Sequence, residues 1–181
     1  MKKRNAFAIV NSTLFFALAF ALTPVHAQQS LKLSDAEVAS VALTANQIDI
    51  DQAQLATKKS TNADILNFAK TMTNDHKAVI DQAVALATKL NVTPHTNDVT
   101  KKLLTDAEKT KQQLEAKKGK EFDKAYIDNE VAYHKAVINA VENVLIPETE
   151  NEELKALLQN IVPALKTHLS HAEMLQKMLA Q

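Results

Sequence analysis

Apolar residues recur along most of this chain at steps of three and four rather than at every second position, the spacing of helices that bury one face. Val38, Val41, Ala45, Ile48 and Leu55 form a first stripe, with Gln52 in register. Ile65, Phe68, Ala69, Met72, Val79, Ala83, Leu86 and Leu90 form a second. Phe122, Tyr126, Tyr133, Val137, Val141 and Val144 follow, and then Leu154, Leu158, Ile161, Leu165, Ala172, Leu175 and Leu179. Between the second and third stripes, Leu103, Leu104, Ala107 and Leu114 stand among many Lys, Asp and Gln. That stretch predicts a helix lying mostly in solvent.

Caps and breakers set the ends. Ser34, Thr61 and Thr149 are each followed three residues later by a carboxylate, the spacing of a capping box. Asn91 to Pro94, Lys118-Gly119 and Pro147 mark stops. The predicted helices run over about 34–59, 61–90, 97–117, 119–146 and 150–180, all within one domain, 34–181. The chain has a single Gly and four Pro, and no segment alternates long enough to compete as a strand. Short turns near 60 and 148 make two antiparallel hairpins. The weak third segment is long enough to return along the bundle between them. The expected fold is therefore all-α, a ferritin-like four-helix bundle with a long helical crossover between the second and fourth helices.

The N-terminus departs from this pattern. Lys2, Lys3 and Arg4 precede a largely apolar stretch, Ala6 to Leu22, and Val25-His26-Ala27 supplies small residues at −3 and −1. This reads as a signal peptide, 1–27, cleaved after Ala27, with 28–33 a short flexible lead. The apolar run is shorter than the roughly 20 residues a bilayer span requires. The expected location is the periplasm or the medium, and the mature chain has no transmembrane segment. The absence of Cys excludes a lipoprotein anchor and disulfides. Of 21 basic and 21 acidic residues, three basic ones fall in the signal, leaving a mature net charge of −3. With no basic stripe, nucleic acid is not an expected partner; a protein partner or a homo-oligomer remains open.

Several ionisable residues lie in register with the core: Asp49 beside Ile48, His76 after Met72, Glu130 and His134 one turn apart, and His168 after Leu165. In the expected topology His76 and His134 lie roughly 22 Å from one end of the bundle, Asp49 roughly 15 Å and His168 roughly 18 Å. One mid-bundle polar layer follows. Buried charge must be paired or hold a cation, and carboxylate and imidazole on facing helices are how bundles build metal centres. Asp49, His76, Glu130, His134 and His168 are the candidate ligands, with Asp75 and His171 placed to support them. A bridged two-metal site would have Glu-x-x-His on two helices; here Thr73-x-x-His76 and His168-x-x-His171 both lack the Glu. The set fits a transition metal: iron, zinc, copper or manganese. The alternative is a non-enzymatic envelope or stress-related interaction module with a purely structural polar layer. His95 falls in a loop, and Met72, Met174 and Met178 fall at core spacing. No phosphate loop or nucleophile elbow occurs, so the reading leans away from an enzyme.

Three motifs in this order and spacing carry a resemblance: Met72-x-x-Asp75-His76; Gly119-x-x-Phe122-Asp123-x-x-Tyr126 followed by His134; and Pro163-x-Leu165-x-x-His168-Leu169. Together they resemble the exported bacterial "domain of unknown function 4142" family, often labelled putative outer membrane protein and grouped with ferritin-like folds. The resemblance spans about 34–178. It implies a helical bundle and export, and no established activity. Where that family usually carries a Glu on the first helix, Asp49 stands here, after Thr44-Ala45-Asn46 in place of a Gly-rich stretch.

Overall fold

The computed structural model describes residues 32–181. The expected signal peptide, its cleavage site and most of the lead lie outside the described residues. Within them the helices are α1 (Asp35–Lys59), α2 (Ala63–Lys89), α3 (Asp98–Glu115) and α4 (Gly119–Ala140). A π turn over Val141–Leu145, a single turn α5 (Ile146–Glu148) and α6 (Glu152–Leu179) complete the order. Among the described residues there is no strand. The all-α expectation holds.

Ser34 caps α1 in a capping box with Glu37, which satisfies two amides at the helix start. Leu33, expected to end a loose lead, is instead 3% exposed and joins the apolar cluster that contains Val38. These are the N′ and N4 positions of a hydrophobic staple. Elsewhere the caps sit further along than expected. Asn62, not Thr61, caps α2, and Asn151, not Thr149, caps α6. Thr149 instead donates its hydroxyl to Leu145 O at 2.6 Å. An Asn side chain at either position reaches amides two or three residues on, and so competes successfully with the neighbouring Thr. Asn91 ends α2 at φ +53°, with the amide of Val92 bonded to Ala87 O. This is a Schellman closure with Asn in the left-handed position.

Pro147 does not stop the fourth helical segment. The chain widens into the π turn before it and continues to Glu148. Pro147 has no amide hydrogen and its ring crowds the carbonyl four residues back; a wider turn accommodates both. The widening carries the inward face from Val141 to Leu145, both buried, and turns Val144 outward. The expected place of Val144 in the core is corrected accordingly.

α1 packs on α2 and α4 on α6, with α2 against α6 and α1 against α4. α3 lies on α1 and α4, mostly in solvent, and buries only Thr100 and Leu114. The core divides into two apolar clusters. One gathers the end of α1, the start of α2, the start of α4 and the end of α6, around Phe68, Met72, Phe122 and Tyr126. The other gathers the opposite ends, around Val38, Val41, Leu145, Leu158 and Leu165. Met174 and Met178, expected in the core, are about half exposed. Leu175 holds the buried stripe, and each Met precedes an inward residue by one position, a turn of about 100° around the helix. No described helix is long and apolar enough to cross a membrane.

Candidate metal centre

Between the two apolar clusters lies a polar layer. Asp49 comes from α1, His76 from α2, Glu130 and His134 from α4, and His168 from α6, and all five are buried. The three imidazoles face one another, with ring centroids 5.7 Å apart for His76 and His134, 5.3 Å for His76 and His168, and 5.5 Å for His134 and His168. One ligating atom from each lies within 4.8 Å of the others, and the same holds for the set Asp49, Glu130 and His134. His134 belongs to both sets. The structure thus brings together every residue that the register placed in the layer.

Each imidazole is held by one nitrogen. His76 Nδ1 lies 2.7 Å from Asn46 Oδ1, His134 Nδ1 3.0 Å from the Glu130 carbonyl, and His168 Nε2 2.9 Å from Asp75 Oδ2. All three partners are oxygens, so the held nitrogen carries the proton in each neutral ring. The other nitrogens, His76 Nε2, His134 Nε2 and His168 Nδ1, are buried without a hydrogen-bond partner. A carbonyl or carboxylate behind the ring and a free lone pair in front is how a metal-ligating histidine is held.

The carboxyls complete the arrangement. Asp49 Oδ2 is 3.4 Å from His76 Nε2 and 3.7 Å from His134 Nε2, and Glu130 Oε2 is 3.5 Å from His134 Nδ1. These distances suggest ion pairs, but the protonation states do not. Burial, reinforced by the neighbouring imidazoles, lowers His76 to about 3. Burial likewise lowers His134 to about 4, against the opposing pull of its bond to the Glu130 carbonyl. Burial raises Asp49 to about 7, and burial together with the Asp49 charge holds Glu130 well above the usual carboxylate range. For Asp49, His76, Glu130 and His134 desolvation is the dominant influence. Burial therefore favours the neutral form of His76 and His134 and the protonated form of Glu130.

Seven of the nine buried side-chain N and O atoms without a partner among the described residues belong to these five side chains. A buried polar atom left unpaired costs about 1–3 kcal/mol, so such a concentration requires something to pair with it. Tyr126, whose hydroxyl is also unpaired, lies beside the layer, and its ionisation is suppressed by burial and by Glu130 and Asp49.

The supporting residues divide. Asp75 stands behind His168, as expected. His171 does not reach the layer; its ring packs edge-on against Phe68 at 5.1 Å. One helical turn beyond His168 carries it into the apolar cluster. His95 is exposed in its loop, as expected. Asn46 was not singled out for this role, although it lies three residues before Asp49 on the same helical face. Tyr133, read only as an apolar-stripe residue, fixes the chain nearby by donating its hydroxyl to Ala45 O at 2.9 Å.

Among solved structures the chain is similar to "CopM in the Cu(II)-bound form", with a TM-score of 0.61 and 15% identity over 81% of this chain and 98% of that one. At that identity the likeness speaks for the fold. No curated protein matches the chain in sequence. The family described as "Domain of unknown function (DUF4142)" matches residues 21–175, including every residue of the layer. The chain belongs to that family.

Proposed function

We propose that this domain binds a divalent transition-metal ion at the mid-bundle layer, with Cu(II) the first candidate. His76, His134 and His168 would hold the ion through the nitrogens that lack a partner, and Asp49 and Glu130 would supply charge from the α1 and α4 side. The observation that carries the reading is the division within each ring, one nitrogen held from behind and the other buried and free. A purely structural layer would pair its polar atoms with one another or with buried water. Here each ring is held at one nitrogen by an oxygen behind it, and the three other nitrogens, turned toward one another, have no protein partner.

The donor chemistry supports the choice of metal. Three imidazoles and two carboxyls, without a thiolate, suit copper, zinc or iron, and for such N/O sites affinity peaks at Cu(II). The structural neighbour was captured with Cu(II) bound. A bound dication would expel the protons of Asp49 and Glu130, so the ion's charge would be met by two carboxylates in an otherwise neutral core. We further propose that the domain works outside the cytoplasm, on the strength of the Lys2–Arg4, apolar and Val25-His26-Ala27 pattern. A mature N-terminus at Gln28 is expected, and one at Met1 would contradict it.

The test of the metal reading is the metal content of the protein, purified without an affinity tag and dialysed against Cu(II), Zn(II), Fe(II) or Mn(II) in turn. Stoichiometric retention of at least one ion, and its loss in His168→Ala, is expected. Retention of none, with an unchanged melting curve on adding each ion, would overturn the reading.

A further inference from the structure

α3 is anchored chiefly at its two ends, with Leu103 packing against the second apolar cluster between them. At its start the amide of His95 donates to Ala36 O, and Asn97 and Thr100 form a capping box with Thr100 buried. At its end Leu114 enters the core, and Lys59 donates to Glu115 O. Between these anchors Leu103, Ala107 and Thr110 face α1 and α4 across a cavity of about 350 Å³. The opposing walls present Ala45 on α1 and Ala136 and Ala140 on α4. The anchors set the spacing of the helices, and the small side chains between them leave the space unfilled.

Three features distinguish this cavity from a packing fault. Its floor is the polar layer itself, for Asp49, His76 and His134 line it. Its far wall includes Val141 and Leu145 of the π turn, a distortion that recurs at functional sites. Its size matches ligand pockets, which begin at about 300 Å³, while an apolar cavity of about 150 Å³ already admits benzene. The lining is mostly aliphatic and holds no Lys or Arg, so an anionic ligand would find no counter-charge.

We propose that this cavity binds a small, uncharged, largely apolar molecule, the size of a bicyclic aromatic alcohol, with its single oxygen directed at the Asp49–His134 floor and α3 closing over its rings. The inference rests on the metal reading for what that oxygen meets, and it identifies the chemical class of molecule admitted to the centre.

The experiment titrates 2-naphthol into the protein, with and without Cu(II), and follows the fluorescence of the probe; metal content is measured in the same samples. Saturable one-to-one binding is expected. Ala107→Phe and Ala140→Phe, half-buried positions on opposite walls of the cavity, should each weaken it at least tenfold while the helical circular dichroism and the metal content stay at wild-type values. Absence of saturable binding, or binding unchanged in both variants, would overturn the inference. Metal retained without probe binding therefore removes the pocket alone. Probe binding that the filled variants weaken, in protein that retains no metal, upholds the pocket and removes the metal reading.

Discussion

His168 Nε2 lies 2.9 Å from Asp75 Oδ2, and His168 Nδ1 is buried without a partner. The carboxylate of Asp75 is about half exposed while the imidazole is almost fully buried. A residue at the edge of the bundle thus orients a ring at its centre. Carboxylate support of this kind fixes the tautomer and raises the basicity of the free nitrogen.

Asp75→Asn or Asp75→Ala should therefore weaken metal affinity by about 10–100-fold while leaving the stoichiometry intact. Because Asp75 is partly solvated, the metal-free melting temperature should move little. Competition against a chelator of known affinity measures the first quantity and thermal unfolding the second. An affinity equal to wild type would mean that Asp75 does not position His168.

Much of this layer was legible in the sequence because helical register is a local property. Asp49, His76, Glu130, His134 and His168 each fall on an apolar stripe, and counting 1.5 Å per residue puts them near one depth. What lay beyond reach depends on choices made between neighbours. Whether Thr149 or Asn151 caps α6 turns on which side chain meets the free amides. Whether Val144 or Leu145 faces inward turns on a π turn that Pro147 induces two residues later. His171 and the two exposed methionines sit about one residue's rotation or one turn from inward positions, differences that a stripe drawn by spacing does not resolve. Asn46 was the missed partner, since a polar residue on a half-buried face announces no role until the ring opposite is placed.

The metal-free domain should show an unusual pH dependence. His76 and His134 are held below their unfolded value of about 6.5, so the unfolded chain binds more protons and their contribution to stability falls as pH drops below that value. Asp49 and Glu130 are held above their unfolded values, so the folded chain binds more protons and their contribution falls as pH rises. The two trends oppose each other between about 4 and 6.5, and above about 6.5 only the carboxyl trend remains. The metal-free melting temperature should accordingly decline from pH 6.5 to about pH 8, as Asp49 titrates near 7, and Asp49→Asn should flatten the decline. A metal-free melting temperature that rises over this range would contradict the assigned protonation states.

α3 should be the first helix to exchange its amide protons. It buries only Thr100 and Leu114, whereas α4 buries eight residues between Phe122 and Ile138. Few buried contacts mean low local stability. Hydrogen exchange followed by mass spectrometry should show Leu103–Thr110 exchanging well before the central turns of α2 and α4. Equal protection would place α3 within the cooperative core and remove the basis for its role as a cover.

In the proposed site three imidazoles converge on one metal ion. Electron spin-echo envelope modulation of the Cu(II)-loaded protein tests it most directly, because the remote nitrogen of each coordinated imidazole modulates the echo. Modulation from more than one imidazole is expected in the wild type, reduced in each of His76→Ala, His134→Ala and His168→Ala. Cu(II) bound without imidazole modulation, or with modulation unchanged by all three substitutions, would place the metal away from these three rings.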